Sequence, residues 1–131
     1  MKKCVQCGSP KMNGSMEKYR VLIGRDKHVT RVPAVRCDDC GESYLNGEDV
    51  QAAELEIAAK LVSKPNMSGP EHRYCRHVTG WQLDQTARAY GTDRENLRAI
   101  ETDERRVPKR YRVHVAKLVK QALRKVKTTL P

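Results

Sequence analysis

Two pairs of cysteines constrain this chain more than any other feature. Cys4-Val5-Gln6-Cys7 and Cys37-Asp38-Asp39-Cys40 are both CxxC pairs, with 29 residues between them. A two-residue gap lets one tight turn aim both sulfurs at a single cation, so two such turns make a tetrahedral four-sulfur site. Gly8 and Gly41 directly follow the second Cys of each pair. A metal-binding knuckle favours a residue there that is free to take positive φ. Four thiolates fill the coordination sphere and leave no open position for water or substrate, which makes the site structural and not catalytic. Zn2+ suits such a ligand set. Disulfides need an oxidising compartment, and a redox CxxC needs one pair in a βαβ setting. A rubredoxin-like iron site is the sharpest rival, but it is built in an aromatic, acidic mini-domain, and this region has only Tyr19 and Tyr44. The fifth cysteine, Cys75, reads as a small buried hydrophobe on a helix. With His72 and His77 it makes no second site, because residues two apart on a helix face different ways.

A metal helps because the apolar material is thin. The chain has 131 residues, no Phe, one Trp and five Tyr. Halves of about 60 residues are marginal without a staple. The reading is α+β: a small β-rich Cys4 zinc domain with one helix (1–62), a linker (63–70), and an all-α domain (71–131). Tyr19–Ile23 and Lys27–Arg36 read as strands around a Gly24-Arg25-Asp26 turn. Residues 48–62 read as a helix with an apolar stripe of Val50, Leu55, Ile57, Ala58, Leu61 and Val62. Pro65, Gly69 and Pro70 mark the linker. Helices are expected near 71–78, 83–90 and 94–101, and a long one from Pro108 with Tyr111, Val115, Leu118, Val119, Leu123 and Val126 at three- and four-residue spacing. No apolar run approaches the length of a membrane span. Met1-Lys2-Lys3-Cys4 lacks a signal-peptide pattern, so the expectation is a cytoplasmic protein with no membrane partner.

Charge is divided unevenly. The net charge is +10, from 26 Lys and Arg against 16 Asp and Glu. Every acid lies at or before Glu104, and residues 1–104 are formally neutral. The excess is carried by Arg105, Arg106, Lys109, Arg110, Arg112, Lys117, Lys120, Arg124, Lys125 and Lys127. A one-signed segment attracts polyanions and points to nucleic acid.

Residues 83–101 have the spacing of a helix-turn-helix. Ala87 is small where two helices cross, Gly91 can close the first helix in a left-handed turn, and Asp93 can cap the second. Leu97 and Ile100 face inward. Arg94, Glu95 and Arg98 point outward from the half of the helix that such motifs present to the major groove. Arg matches guanine O6/N7, and Glu accepts from cytosine N4. With Asn96, and with Arg105, Arg106, Lys109 and Arg110 beyond, these are the candidate DNA-binding residues. No Ser-His-Asp set or carboxylate pair is present, and His28, His72, His77 and His114 build no site by their spacing. An enzyme is not expected.

The order of these motifs resembles the MqsA (YgiT-type) antitoxin family. Its members join a Cys4 zinc domain to an Xre/Cro-type helix-turn-helix at about this length. The Cys4/Cys7/Cys37/Cys40 pattern followed by Gly41-Glu42 carries the likeness. The resemblance implies one structural zinc per chain, a homodimer through the C-terminal domain, and a repressor that binds a double-stranded DNA operator and autoregulates its operon. It also implies that the zinc domain can neutralise an MqsR-like ribonuclease toxin. The alternative is a standalone phage or mobile-element transcriptional regulator with no toxin partner. Leu83 stands where Xre-type proteins usually carry a phosphate-contacting Gln. Glu95 and Ala99 stand where the family favours Asn and Arg. A different operator sequence is therefore expected, with Arg94 and Arg98 carrying more of the readout.

Overall fold

The computed structural model describes residues 3–129, with side chains through Val126. Met1, Lys2 and the side chain of Lys127 lie outside the described residues.

The 29-residue gap between the cysteine pairs is a β-hairpin. Strand β1 (Met12–Ile23) pairs antiparallel with β2 (Asp26–Cys37) from Met12 opposite Cys37 to Ile23 opposite Asp26. The turn is only Gly24-Arg25, with Gly24 at φ 60°, as a two-residue hairpin with Gly at the first central position requires. Asp26 therefore belongs to β2. β1 starts seven residues before the expected Tyr19, because the ladder continues through Asn13, Gly14 and Ser15, which have little strand propensity of their own. A short β3 (Ser43–Leu45) adds to β2 and gives the order β1-β2-β3. No hydrophobic alternation announces a three-residue strand, and the sequence does not suggest it.

Helix α1 (Gly47–Val62) starts where Asn46 accepts from the Glu48 amide at 2.8 Å, with Glu48 and Asp49 in its positive first turn. α2 (Gly69–Val78) starts two residues earlier than the expected 71. Ser68 and Glu71 form a reciprocal capping box, and Pro70 fits the first turn. Met67, in the 63–70 segment, is buried in the core. α3 (Leu83–Tyr90), α4 (Arg94–Glu101) and α5 (Lys109–Thr129) follow.

The main core joins elements from along the whole chain. Ile23 of β1 meets Ile57, Ala58 and Leu61 of α1, Met67, Cys75 of α2, and Val115 and Val119 of α5. Leu55 and Leu61 of α1 are essentially inaccessible, and each such side chain contributes about 2 kcal/mol. The apolar stripe of α5 is thus used within the chain, against α1 and α2. A second cluster holds α3, α4 and the start of α5: Ala87, Tyr90, Leu97, Ile100 and Tyr111. Among the described residues no helix is long and apolar enough to cross a membrane.

Candidate functional site

The hairpin register brings the cysteine pairs together. With Met12 opposite Cys37, both knuckles sit at the open end of the ladder, and Asp38 N–H donates to the Lys11 carbonyl at 2.9 Å. The knuckles repeat one backbone pattern. Gly8 N–H donates to the Cys4 carbonyl at 2.8 Å, and Gly41 N–H to that of Cys37 at 2.9 Å. Cys4 N–H donates to the Ser9 carbonyl and Cys37 N–H to that of Glu42. Gly8 and Gly41 have φ of 77° and 80°, which a side chain would make strained.

All four sulfurs lie within 4.8 Å of one another, with Cys4 to Cys40 and Cys7 to Cys37 both at 3.6 Å. A tetrahedral ion with metal–sulfur bonds of about 2.3 Å sets its ligands about 3.8 Å apart. The four thiols can therefore hold one metal ion. Cys4 and Cys37 are buried, and Cys7 and Cys40 face solvent. The Tyr44 hydroxyl, 3.3 Å from the Cys4 sulfur, lowers that thiol to about 6 against the desolvation that opposes it. The Glu42 amide favours a Cys40 thiolate, yet desolvation and the neighbouring sulfurs push Cys40 up to about 12. Four thiolates this close need a cation to be negative together. The sequence does not single out Tyr44 as part of the site, since only β3 brings it to Cys4.

The second candidate region is α3, its turn and α4. Gly91 ends α3 in the left-handed conformation at φ 71°. Asp93 caps α4 by accepting from the Asn96 amide at 2.7 Å. Ala87, Leu97 and Ile100 are buried as their spacing predicts. Arg94 and Glu95 are exposed in the first turn, with Arg94 Nε 3.7 Å from the Asp84 carboxylate. Arg98 is exposed and lines a cleft of about 780 Å3 with Arg73, Leu83 and the hairpin tip at Leu22 to Gly24. Asn96 is half-buried: its amide donates to Thr92 Oγ1 at 2.9 Å and its Oδ1 accepts from Arg105. Arg110 donates to the Tyr90 carbonyl at 2.7 Å and lies over the Tyr111 ring, where it pins α5 to α3. Arg106 and Lys109 are exposed.

Beneath α4 lies a buried polar network that spacing does not reveal. Arg76 grips Glu101 through two bonds of 2.9 Å, and His72 Nδ1 meets the same carboxylate at 2.8 Å. His72 Nε2 is 2.8 Å from the Tyr90 hydroxyl, which donates to the Tyr111 carbonyl. Arg76 also donates to the Trp81 carbonyl at 2.8 Å. One side chain thus ties α2 to the start of α3 and to α4. Burial pushes the Glu101 carboxyl up, but His72 and Arg76 outweigh it and hold the group below its ordinary value. Gly69 is where α2 meets the end of α4: a Cβ there would strike the backbone of Ile100 and Glu101. Cys75 is fully buried, and desolvation pushes its thiol up to about 12.

A comparison of the chain with protein-family models gives no match, and a comparison with curated proteins gives none.

Proposed function

We propose that this chain is a sequence-specific DNA-binding transcriptional repressor of the MqsA-like antitoxin type, with a structural Zn2+ on Cys4, Cys7, Cys37 and Cys40. The observation that carries the reading is α4. It is a capped eight-residue helix, held from behind by Arg76 and His72 through Glu101, with Arg94 and Glu95 exposed on its first turn. A helix held this rigidly suits base readout, and the two outward side chains suit guanine and cytosine edges. Arg98 adds a cation farther along the same helix, and Arg105, Arg106 and Lys109 are phosphate contacts in this reading. Asn96 and Arg110 also position their neighbours, Asn96 through Thr92 and Arg105, and Arg110 through the Tyr90 carbonyl. The zinc is a closed, non-catalytic ion that sets the knuckles.

The protein acts in the cytoplasm as a homodimer through its C-terminal half and represses its own operon. In this reading the zinc domain can take an MqsR-like ribonuclease toxin as a partner. Without such a partner the same chain is a standalone regulator. The test is a gel shift on the DNA upstream of its own gene against a scrambled duplex. Arg94→Ala and Arg98→Ala are each expected to weaken binding to the upstream duplex by about ten- to a hundred-fold and to the scrambled one much less. Equal losses on both duplexes overturn the role of α4. Elemental analysis reads the metal, and visible absorption of an iron–thiolate site would overturn zinc.

A further inference from the structure

We infer that the outward face of the β1–β2 hairpin is a second DNA-contacting surface, one that takes the phosphate backbone. Side chains alternate across a strand, and register decides which of them share a face. Met16 stands opposite Pro33, Lys18 opposite Arg31, Arg20 opposite Val29, and Leu22 opposite Lys27. All eight are exposed. The face therefore presents four cations. The hairpin's two acids, Glu17 and Asp26, sit in register with Val32 and Ile23, whose side chains are buried on the other side. Among the described residues no ion pair involves Lys18, Arg20, Lys27 or Arg31.

Folding does not call for this arrangement. Like charges directly opposite one another, as at Lys18 and Arg31, destabilise a sheet. That row of two cations also divides Met16 and Pro33 from Leu22 and Val29, so no continuous apolar groove is offered to a protein ridge. A polyanion fits better. Its direction is set by the cleft. Leu22 lies on the outward face and lines the same cleft as Arg98 and Leu83, so the face opens beside α4. From Lys18 to Leu22 is about 13 Å of strand, or about four base-pair steps of duplex. A duplex seated on α4 would run its flanking backbone along the hairpin. The inference rests on the DNA-binding reading for that direction.

The experiment uses the full chain with Lys18, Arg20, Lys27 and Arg31 all changed to Thr. Circular dichroism and metal content check its fold. Affinity is measured against salt on the upstream duplex and on a scrambled duplex of equal length, both extending past the expected half-sites. The log–log salt slope should fall by about 0.9 for each phosphate that is no longer neutralised, up to about 3.6 per protomer. The preference for upstream DNA should stay as it was. An unchanged slope overturns the inference, and that is also what a face built for an acidic protein would give. If the slope falls but upstream DNA is not preferred, the α4 reading fails and the hairpin surface stands. If upstream DNA is preferred and the slope is unchanged, the reverse holds. Should the fourfold variant misfold, Arg20→Thr and Lys27→Thr alone are each expected to lower the slope by about 0.9, and no change in either overturns the proposal.

Discussion

The four-thiol site and the Glu101 network each join residues about 30 positions apart, Cys7 to Cys37 in one and His72 to Glu101 in the other. Each gathers ionisable groups, but they reach neutrality differently. In the network one carboxylate meets a guanidinium and an imidazole, and the charges are answered from within the chain. At the open end of the hairpin all four groups have the same sign when ionised, so the chain alone cannot complete the site. The helical half answers its charges by folding, whereas the four sulfurs can all be thiolates together only around a cation from outside. Exposure differs as well: the thiol site is half open, with Cys7 and Cys40 facing solvent and Cys4 and Cys37 buried, whereas His72, Arg76 and Glu101 are all buried.

Removing the metal breaks this comparison most sharply. Structural zinc sites contribute about 10–16 kcal/mol of apparent binding free energy near neutral pH. A strong chelator, or Cys37→Ser, should strip amide-exchange protection from residues 4–16 and 33–45 while the amides of α2 to α4 keep theirs. If α2 to α4 lose protection at the same chelator concentration, the two regions are one cooperative unit.

Glu101→Ala comes next. It leaves Arg76 and His72 buried without their anion, which costs about 3–5 kcal/mol. Urea unfolding should show a lower midpoint, with metal content unchanged. The same group gives a pH dependence. Its folded carboxyl is held below its ordinary value of 4.5, so its contribution is complete above that pH. It is lost as pH falls through the folded value. Wild type should lose stability faster than Glu101→Ala across that acid range, and parallel curves would remove Glu101 from the account.

Gly69→Ala is smaller, about 1–3 kcal/mol, because α2 must move off the backbone of Ile100 and Glu101. Thermal unfolding measures it, and an unchanged midpoint would mean that the two helices part easily. The smallest effect belongs to Tyr44→Phe. It removes the hydroxyl beside Cys4 and should weaken metal binding about tenfold in a competition titration. Equal affinity would show that Tyr44 merely packs there.

The thiol site is legible because its signal is local: two residues between cysteines, with glycine after each pair. The limits of α3 and α4 are legible for the same reason, since Gly91 and Asp93 act on their immediate neighbours. The start of α2 falls two residues before its expected place, because Pro70 reads as linker until Ser68 and Glu71 are seen to form a capping box around it. The stripe on α5 is visible in the sequence, but not its partner. It packs on α1 and α2, which a helical period cannot say. Asn96 and Arg110 look like free contacts in the sequence, and only packing shows what each one holds.

The sequence by itself determined the four clustered cysteines, the limits of α3 and α4 and the basic excess after Glu104, because spacing, capping and composition act within a few residues. Tertiary structure decided the rest. It set Glu101 against Arg76 and His72, required Gly69 to be bare of a side chain, and gathered four of the six Lys and Arg of the hairpin segment on one face, away from Glu17 and Asp26. Those outcomes depend on register and on helix-to-helix distance. A shift of one residue in a ladder reverses which side chains face outward, and linear charge counts carry no information about register.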